Sequence, residues 1–226
     1  MQRLADLAQR FLAWHYRHET NRRWSRPPLP EWFDHRSDLY RWMYEELGYW
    51  IERPVYSREV MRPGCKVLDL CCGDGFYAAH VFADVASHID ASDFDPAAIE
   101  HAKRVHTHPR VTHHLLDIRT DPFPDSCYDV IVWDGAIEHF TLDETREILR
   151  RCRAALADGG VLCGNTILAD SGAPLAHPDH EHEYRGADEL ERVLGEVFAH
   201  AGTIVIEHPA RKNIYFRASD GRLSRF

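Results

Sequence analysis

The sequence predicts an α/β protein built on a doubly wound, mostly parallel sheet of seven strands, preceded by an aromatic-rich helical segment. Three observations carry this expectation. From Lys66 onward, short apolar runs alternate with amphipathic helical stretches, the pattern of strands joined by crossover helices. Gly73 and Gly75 stand directly after the first such run and before a helix. Residues 1–63 hold five of the six tryptophans and five of the nine tyrosines, a density that expects helices packed across something and sets a boundary before the second region, 64–226.

In the first region, Leu4, Leu7, Ala8, Phe11 and Leu12 recur at helical spacing, and Trp14 and Tyr16 lead to a break at Pro27, Pro28 and Pro30. A second helical stretch is expected from about Arg36, through Leu39, Tyr40, Trp42, Met43, Leu47 and Trp50. Strand one is Val67–Leu70, and a helix begins at Tyr77. Strand two is His88–Ser92, with Asp95-Pro96 as N-cap and first residue of the next helix. Val111–Leu116 reads as strand three, and Asp129–Trp133, a strongly apolar run, as strand four. Thr141-Leu142-Asp143-Glu144 forms a capping box; Gly159-Gly160 is expected to end that helix, and Val161–Asn165 to return as strand five. A polar loop to Gly186, a helix through Leu190–Phe198, and strands near Thr203–Ile206 and Asn213–Arg217 complete the chain.

Bulk properties narrow the function. The 226 residues carry a formal charge of −9, which argues against a non-specific grip on nucleic acid. The six cysteines contain no Cys-x-x-Cys pair and read as reduced, so the expected location is the cytoplasm. The first twenty residues are too charged for a secretory segment, and no apolar run is long enough to span a bilayer.

The glycine loop alone fits a dinucleotide site as well. Asp69, four residues before Gly73, separates the readings, because a pyrophosphate would not welcome a carboxylate there whereas a ligand with a cationic amino group would. Val67-Leu68-Asp69-Leu70-Cys71-Cys72-Gly73-Asp74-Gly75 resembles the first motif of class I S-adenosylmethionine-dependent methyltransferases of the small-molecule, ubiquinone-pathway-like type, with Cys71 where the family usually has its first glycine. The resemblance runs on in order through Asp93-Phe94, Leu116-Asp117-Ile118, Pro122–Val132 and Leu156–Leu162. It implies S-adenosylmethionine as cofactor in a Rossmann-like methyltransferase fold. The implied cofactor residues are Asp69, Cys71, Gly73, Gly75, Phe76, Asp93 (ribose hydroxyls), Phe94 (over the adenine), Asp117 (adenine amino group), Ile118, Asp134 and Gly135.

His139, following strand four at the ligand end of the sheet, is the candidate general base. Relatives that bind a divalent ion here carry Glu-x-x-Glu-His; Gly135 stands at the first glutamate position, so no metal is assigned, although Glu138, His139 and the loop His177–Glu183 hold ligand types. His180, His182, Tyr184 and Arg185 after strand five are candidate acceptor-binding residues, and in the first region Trp32-Phe33-Asp34-His35-Arg36 and Tyr40 are candidates to cover the methionine end of the cofactor and the acceptor. The expected reaction is methyl transfer to a small-molecule oxygen, hydroxyl or carboxyl, by an enzyme without nucleic-acid or membrane partners and possibly homodimeric. The alternatives are a macromolecular acceptor gripped by the Arg- and Trp-rich N-terminal region, a nicotinamide-dependent oxidoreductase, and a non-catalytic adenosylmethionine-binding module.

Overall fold

A computed structural model of the protein describes residues 2–25 and 32–223. The expected proline break at 27–30 lies outside the described residues.

Seven strands form one sheet in the order β3-β2-β1-β4-β5-β7-β6. They are β1 (Lys66–Leu70), β2 (His88–Asp93), β3 (Val111–Leu115), β4 (Tyr128–Asp134), β5 (Leu156–Leu168), β6 (His200–Glu207) and β7 (Lys212–Ser219). Pairing is parallel throughout β3-β2-β1-β4-β5, and β7 runs antiparallel to both of its neighbours. The chain order therefore reverses between β1 and β4, where the crossover helices diverge to opposite faces and leave a crevice beyond the strands' carboxyl ends.

Strand periodicity builds a core on each face. Leu68, Leu70, Ile131 and Trp133 point to one side, where Ile148 and Leu149 of α5 (Leu142–Ala155) and Leu190 and Leu194 of α6 (Ala187–Gly195) cover them. Val67, Val130 and Val132 point to the other, against Ala78, Phe82 and Met61. Asp95 accepts from Ala97 N and caps α4 (Pro96–Val105), with Pro96 at its first position as expected. The Thr141–Glu144 capping box is present in full at the start of α5.

Three expectations are corrected. The stretch from Arg36 is two helices, α2 (Asp38–Glu45) and α3 (Tyr49–Arg58), because Glu46 turns left-handed (φ 59°) and breaks the run. Gly159-Gly160 does not end the helix: α5 stops at Ala155, β5 begins at Leu156 opposite Tyr128, and a register shift follows before Val130 pairs with Val161. After the glycine loop, Ala78–Phe82 is a π-helical turn, a wider coil that often accompanies functional sites.

The N-terminal helix α1 (Gln2–Trp24) touches the body through α2, where Tyr16 stacks on Tyr40 at 5.9 Å between ring centroids. Leu4, Leu7, Phe11 and Trp14 remain exposed. Helix α3, by contrast, is integral to the sheet's cover: Tyr56 packs on Tyr215 and Arg217 reaches Glu59 at 3.1 Å.

Candidate active site

The loop after β1 supplies the floor of the crevice. Cys71, Gly73 and Gly75 adopt φ of 57°, 54° and 72°. Cys71 thus keeps the left-handed turn that glycine usually provides, at a cost of about 1–2 kcal/mol for a residue with a Cβ. Gly75 has no such latitude, because a Cβ there would stand 2.6 Å from His113 Nε2 and 3.0 Å from Ala102 Cβ. Gly75→Ala should therefore destabilise the fold by about 2–4 kcal/mol, strain plus overpacking, read as a lower urea midpoint at unchanged m-value.

Asp93, ending β2, holds this loop in shape: one carboxylate oxygen accepts from Gly73 N at 2.9 Å and the other from Asp95 N at 2.9 Å. Asp74 stabilises the turn by accepting from Phe76 N at 3.1 Å, and its second oxygen accepts from His35 N at 2.8 Å. Trp32 Nε1 donates to Asp95 at 3.0 Å. The segment carrying Trp32 and His35 is thereby fastened across the loop.

Two cavities meet over the loop. One, of ≈ 380 Å³, is a trough lined by Gly73, Asp93, Phe94, Asp117, Ile118 and Phe140, among others. The second, of ≈ 470 Å³, lies under aromatic walls made by Phe33, Trp50 and Tyr77 and includes Asp69, Asp134 and Glu138. Trp32, Cys71, Gly73, Gly135 and His139 line both.

The second cavity has a buried polar frame. Asp69 is only 4% exposed; burial, then the neighbouring carboxylates Asp134, Asp93 and Asp74, push its carboxyl well above the usual range. Asp134 is paired with Arg53 at 2.9 Å, both side chains 8% exposed, and accepts from Asn165. Arg53 also donates to the Asp134 carbonyl and lies over the Trp50 ring. Gly135, at φ 62°, leaves room for that guanidinium; a Cβ would lie 2.1 Å from Arg53 Nη2. Glu138 is 4% exposed and accepts from Thr166 Oγ1 at 2.9 Å, while its carbonyl receives Glu181 N and His182 N. The loop after β5 is tied over the site by these bonds. His139 Nδ1 donates to the Asp179 carbonyl at 3.1 Å, which leaves Nε2 as the basic nitrogen of the neutral ring.

The sequence-predicted residues divide. Asp69, Cys71, Gly73, Asp93, Phe94, Asp117, Ile118, Asp134 and Gly135 line one or both cavities, as do His139, Trp32, His35 and His180. Gly75 lies beneath the loop, and Phe76 turns away against His80 and His106. Arg36 pairs with Asp34, and Tyr40 faces α1. His182 bonds Glu189 at 3.0 Å, and Arg185 pins the loop carbonyls of Asp170 and Ala173. Tyr184 is fully buried in the core and bridges Leu168, so it cannot reach an acceptor. Phe33 of the expected stretch Trp32-Phe33-Asp34-His35-Arg36 also lines the second cavity, whereas sequence reasoning missed Arg53, Tyr77 and Arg211, which line it as well; none of these three belongs to a motif.

Comparison with known proteins gives this architecture its class. Residues 67–160 match the methyltransferase domain family, and the seven-stranded sheet has the Rossmann-like fold of methyltransferases. A probable S-adenosylmethionine-dependent methyltransferase of Mycolicibacterium smegmatis is 32% identical over 173 residues, covering 73% of this chain and 65% of the relative. N-demethylindolmycin N-methyltransferase of Streptomyces griseus is 30% identical over 137 residues, covering 57% and 56%. The chain thus spans between about half and two thirds of the curated relatives it matches. Among solved structures, the DhpI–SAH complex superposes with a TM-score of 0.62 at 22% identity, covering 82% of this chain and 92% of that one, a likeness of fold.

The mycobacterial relatives are named as S-adenosylmethionine-dependent, and the residues here suit that cofactor. The trough carries acids at the ends of β2 and β3, and Asp69 is a buried carboxyl whose ionised form needs a cationic partner. Asp69 would hold the amino group, Asp93 the ribose, and Asp117, Ile118 and Phe94 the adenine. Bound there, the cofactor supplies an electrophilic methyl group on sulfur. The chain's own residues would align an acceptor, exclude water and offer His139 beside it.

Among the described residues no helix is long and apolar enough to cross a membrane.

Proposed function

We propose that the protein transfers a methyl group from S-adenosylmethionine to an oxygen of a small-molecule acceptor held in the aromatic-walled cavity. The observation that carries this reading is the junction of the two cavities at Gly73, Gly135 and His139. A cofactor in the trough would present its reactive end to a second space of metabolite size, with a histidine at the boundary. Alignment and exclusion of water would supply most of the acceleration, up to about 7–11 kcal/mol in well-oriented systems.

His139 acts as general base in this reading, its Nε2 made the acceptor by the Asp179 carbonyl on Nδ1. Arg211 supports an acceptor bearing a carboxylate. It lines the cavity, donates Nε to Asn213 and has no carboxylate partner among the described residues. Burial, then the charge of Arg53, makes its guanidinium harder to hold charged, a penalty an anionic acceptor would offset.

The test is turnover to S-adenosylhomocysteine with a panel of hydroxy and carboxylic acids. His139→Gln should reduce kcat by roughly 10²–10⁴ with little change in S-adenosylmethionine affinity. An unchanged kcat would remove the base assignment. Calorimetric binding of NADH in place of S-adenosylmethionine would overturn the cofactor reading as well.

A further inference from the structure

Behind the glycine loop, outside both cavities, Asp34, Asp74, His101 and His106 converge from three segments. One donor atom from each lies within 4.8 Å of all the others. The sequence reading placed no metal here. We propose that these four side chains form a zinc-type site that clamps the segment around Asp34 onto the cofactor loop and α4.

The carrying observation is His106. Its side chain is fully buried, yet Nε2 makes no hydrogen bond. It stands 3.4 Å from an Asp74 oxygen and 3.6 Å from an Asp34 oxygen, favouring neither. His101 Nε2 lies 3.0 Å from the other Asp34 oxygen. An imidazolium buried between two carboxylates would be expected to close on one of them at about 2.7–2.9 Å. Ligands about 2.0–2.1 Å from a tetrahedral zinc are instead separated by edges of about 3.3–3.4 Å, close to the two distances from His106 Nε2.

The surroundings orient the donors. His106 Nδ1 shares a hydrogen bond with His80 Nε2 at 3.0 Å, which fixes the ring with Nε2 facing inward. Asp74 is held by His35 N and Phe76 N. His101 and His106 sit five residues apart at the end of α4, within the His-x₃₋₅-His spacing of structural zinc sites. Two imidazoles and two carboxylates suit zinc better than magnesium or calcium, which prefer all-oxygen shells. Arg36 also donates to the Asp34 carboxylate through its backbone N, Nε and Nη2, and its side chain is 46% exposed.

The experiment is metal content and cobalt(II) spectroscopy on the full chain. After equilibration with zinc and dialysis, the wild-type protein should retain one zinc per chain, and cobalt should give the intense visible bands of a tetrahedral ion. His106→Ala should lose both. His101→Ala, a less buried change, should weaken zinc binding by at least the roughly 10–100-fold that loss of an outer-shell partner costs. It should keep the wild-type far-UV circular dichroism. Glu138→Gln/His180→Ala, which disrupts the other group of ligand-type side chains, should keep the zinc. No retained zinc in wild type, or zinc that survives His101→Ala/His106→Ala and disappears with Glu138→Gln/His180→Ala, would overturn the proposal.

Discussion

Arg53→Ala should lower the unfolding free energy by about 3–5 kcal/mol, because it strands the carboxylate of Asp134 in a site where both partners are 8% exposed. Asp134 keeps only its bond from Asn165, and Trp50 loses the guanidinium packed on its face. Arg53→Lys should recover part of the loss. An ammonium restores the charge but cannot bond the Asp134 side chain and carbonyl together as the planar fork does. Urea denaturation followed by circular dichroism reads both variants. A destabilisation below about 1 kcal/mol for Arg53→Ala, the range of a surface ion pair, would mean that the pair is not the buried strut described.

Asp69→Asn should weaken S-adenosylmethionine binding by about 1.5–3 kcal/mol, roughly one to two decades in Kd, the worth of a hydrogen bond to a charged group. It should also remove a pH dependence. Burial and the carboxylates of Asp134, Asp93 and Asp74 raise this carboxyl in the cofactor-free protein, so its neutral form persists where an ordinary aspartate is ionised. Its contribution to fold stability is therefore present below the unfolded-state pKa and is lost as pH rises towards the folded one. Cofactor affinity runs the other way: a cationic amino group favours the carboxylate, so binding releases a proton and tightens as pH rises through the raised pKa. Calorimetry in buffers of different ionisation enthalpy reads that proton. Equal proton release by wild type and Asp69→Asn would exclude Asp69 as its source.

Much of the sheet was legible because its signals are local. The short apolar runs around Asp69 and Val130, the Asp95-Pro96 cap and the Thr141–Glu144 box each specify structure within a few residues. The candidates that line the trough were legible for the same reason, since they lie at strand ends or in the turns that follow. The far wall of the second cavity was not. Arg53 and Arg211 reach the cavity from helix α3 and from the residue before β7, 158 positions apart, and no spacing rule links them. Tyr184 and His182 looked like loop residues available to a ligand. The bridge from Tyr184 to Leu168 and the bond from His182 to Glu189 turn them into the loop's own anchors. Composition marked the aromatic-rich first region but could not orient it: Trp32 and Trp50 face the cavity, while Trp14 on α1 lines a separate cleft.

The bonds from Trp32 to Asp95 and from His35 to Asp74 have a consequence in time as well as in space. The strap they hold crosses the glycine loop beside the trough, so a cofactor bound there would have to pass those contacts on leaving. Opening of this kind runs on the microsecond-to-millisecond scale and often paces catalysis. On the proposed reading, release rather than methyl transfer would then pace the cycle, and the strap would set how long S-adenosylhomocysteine stays bound.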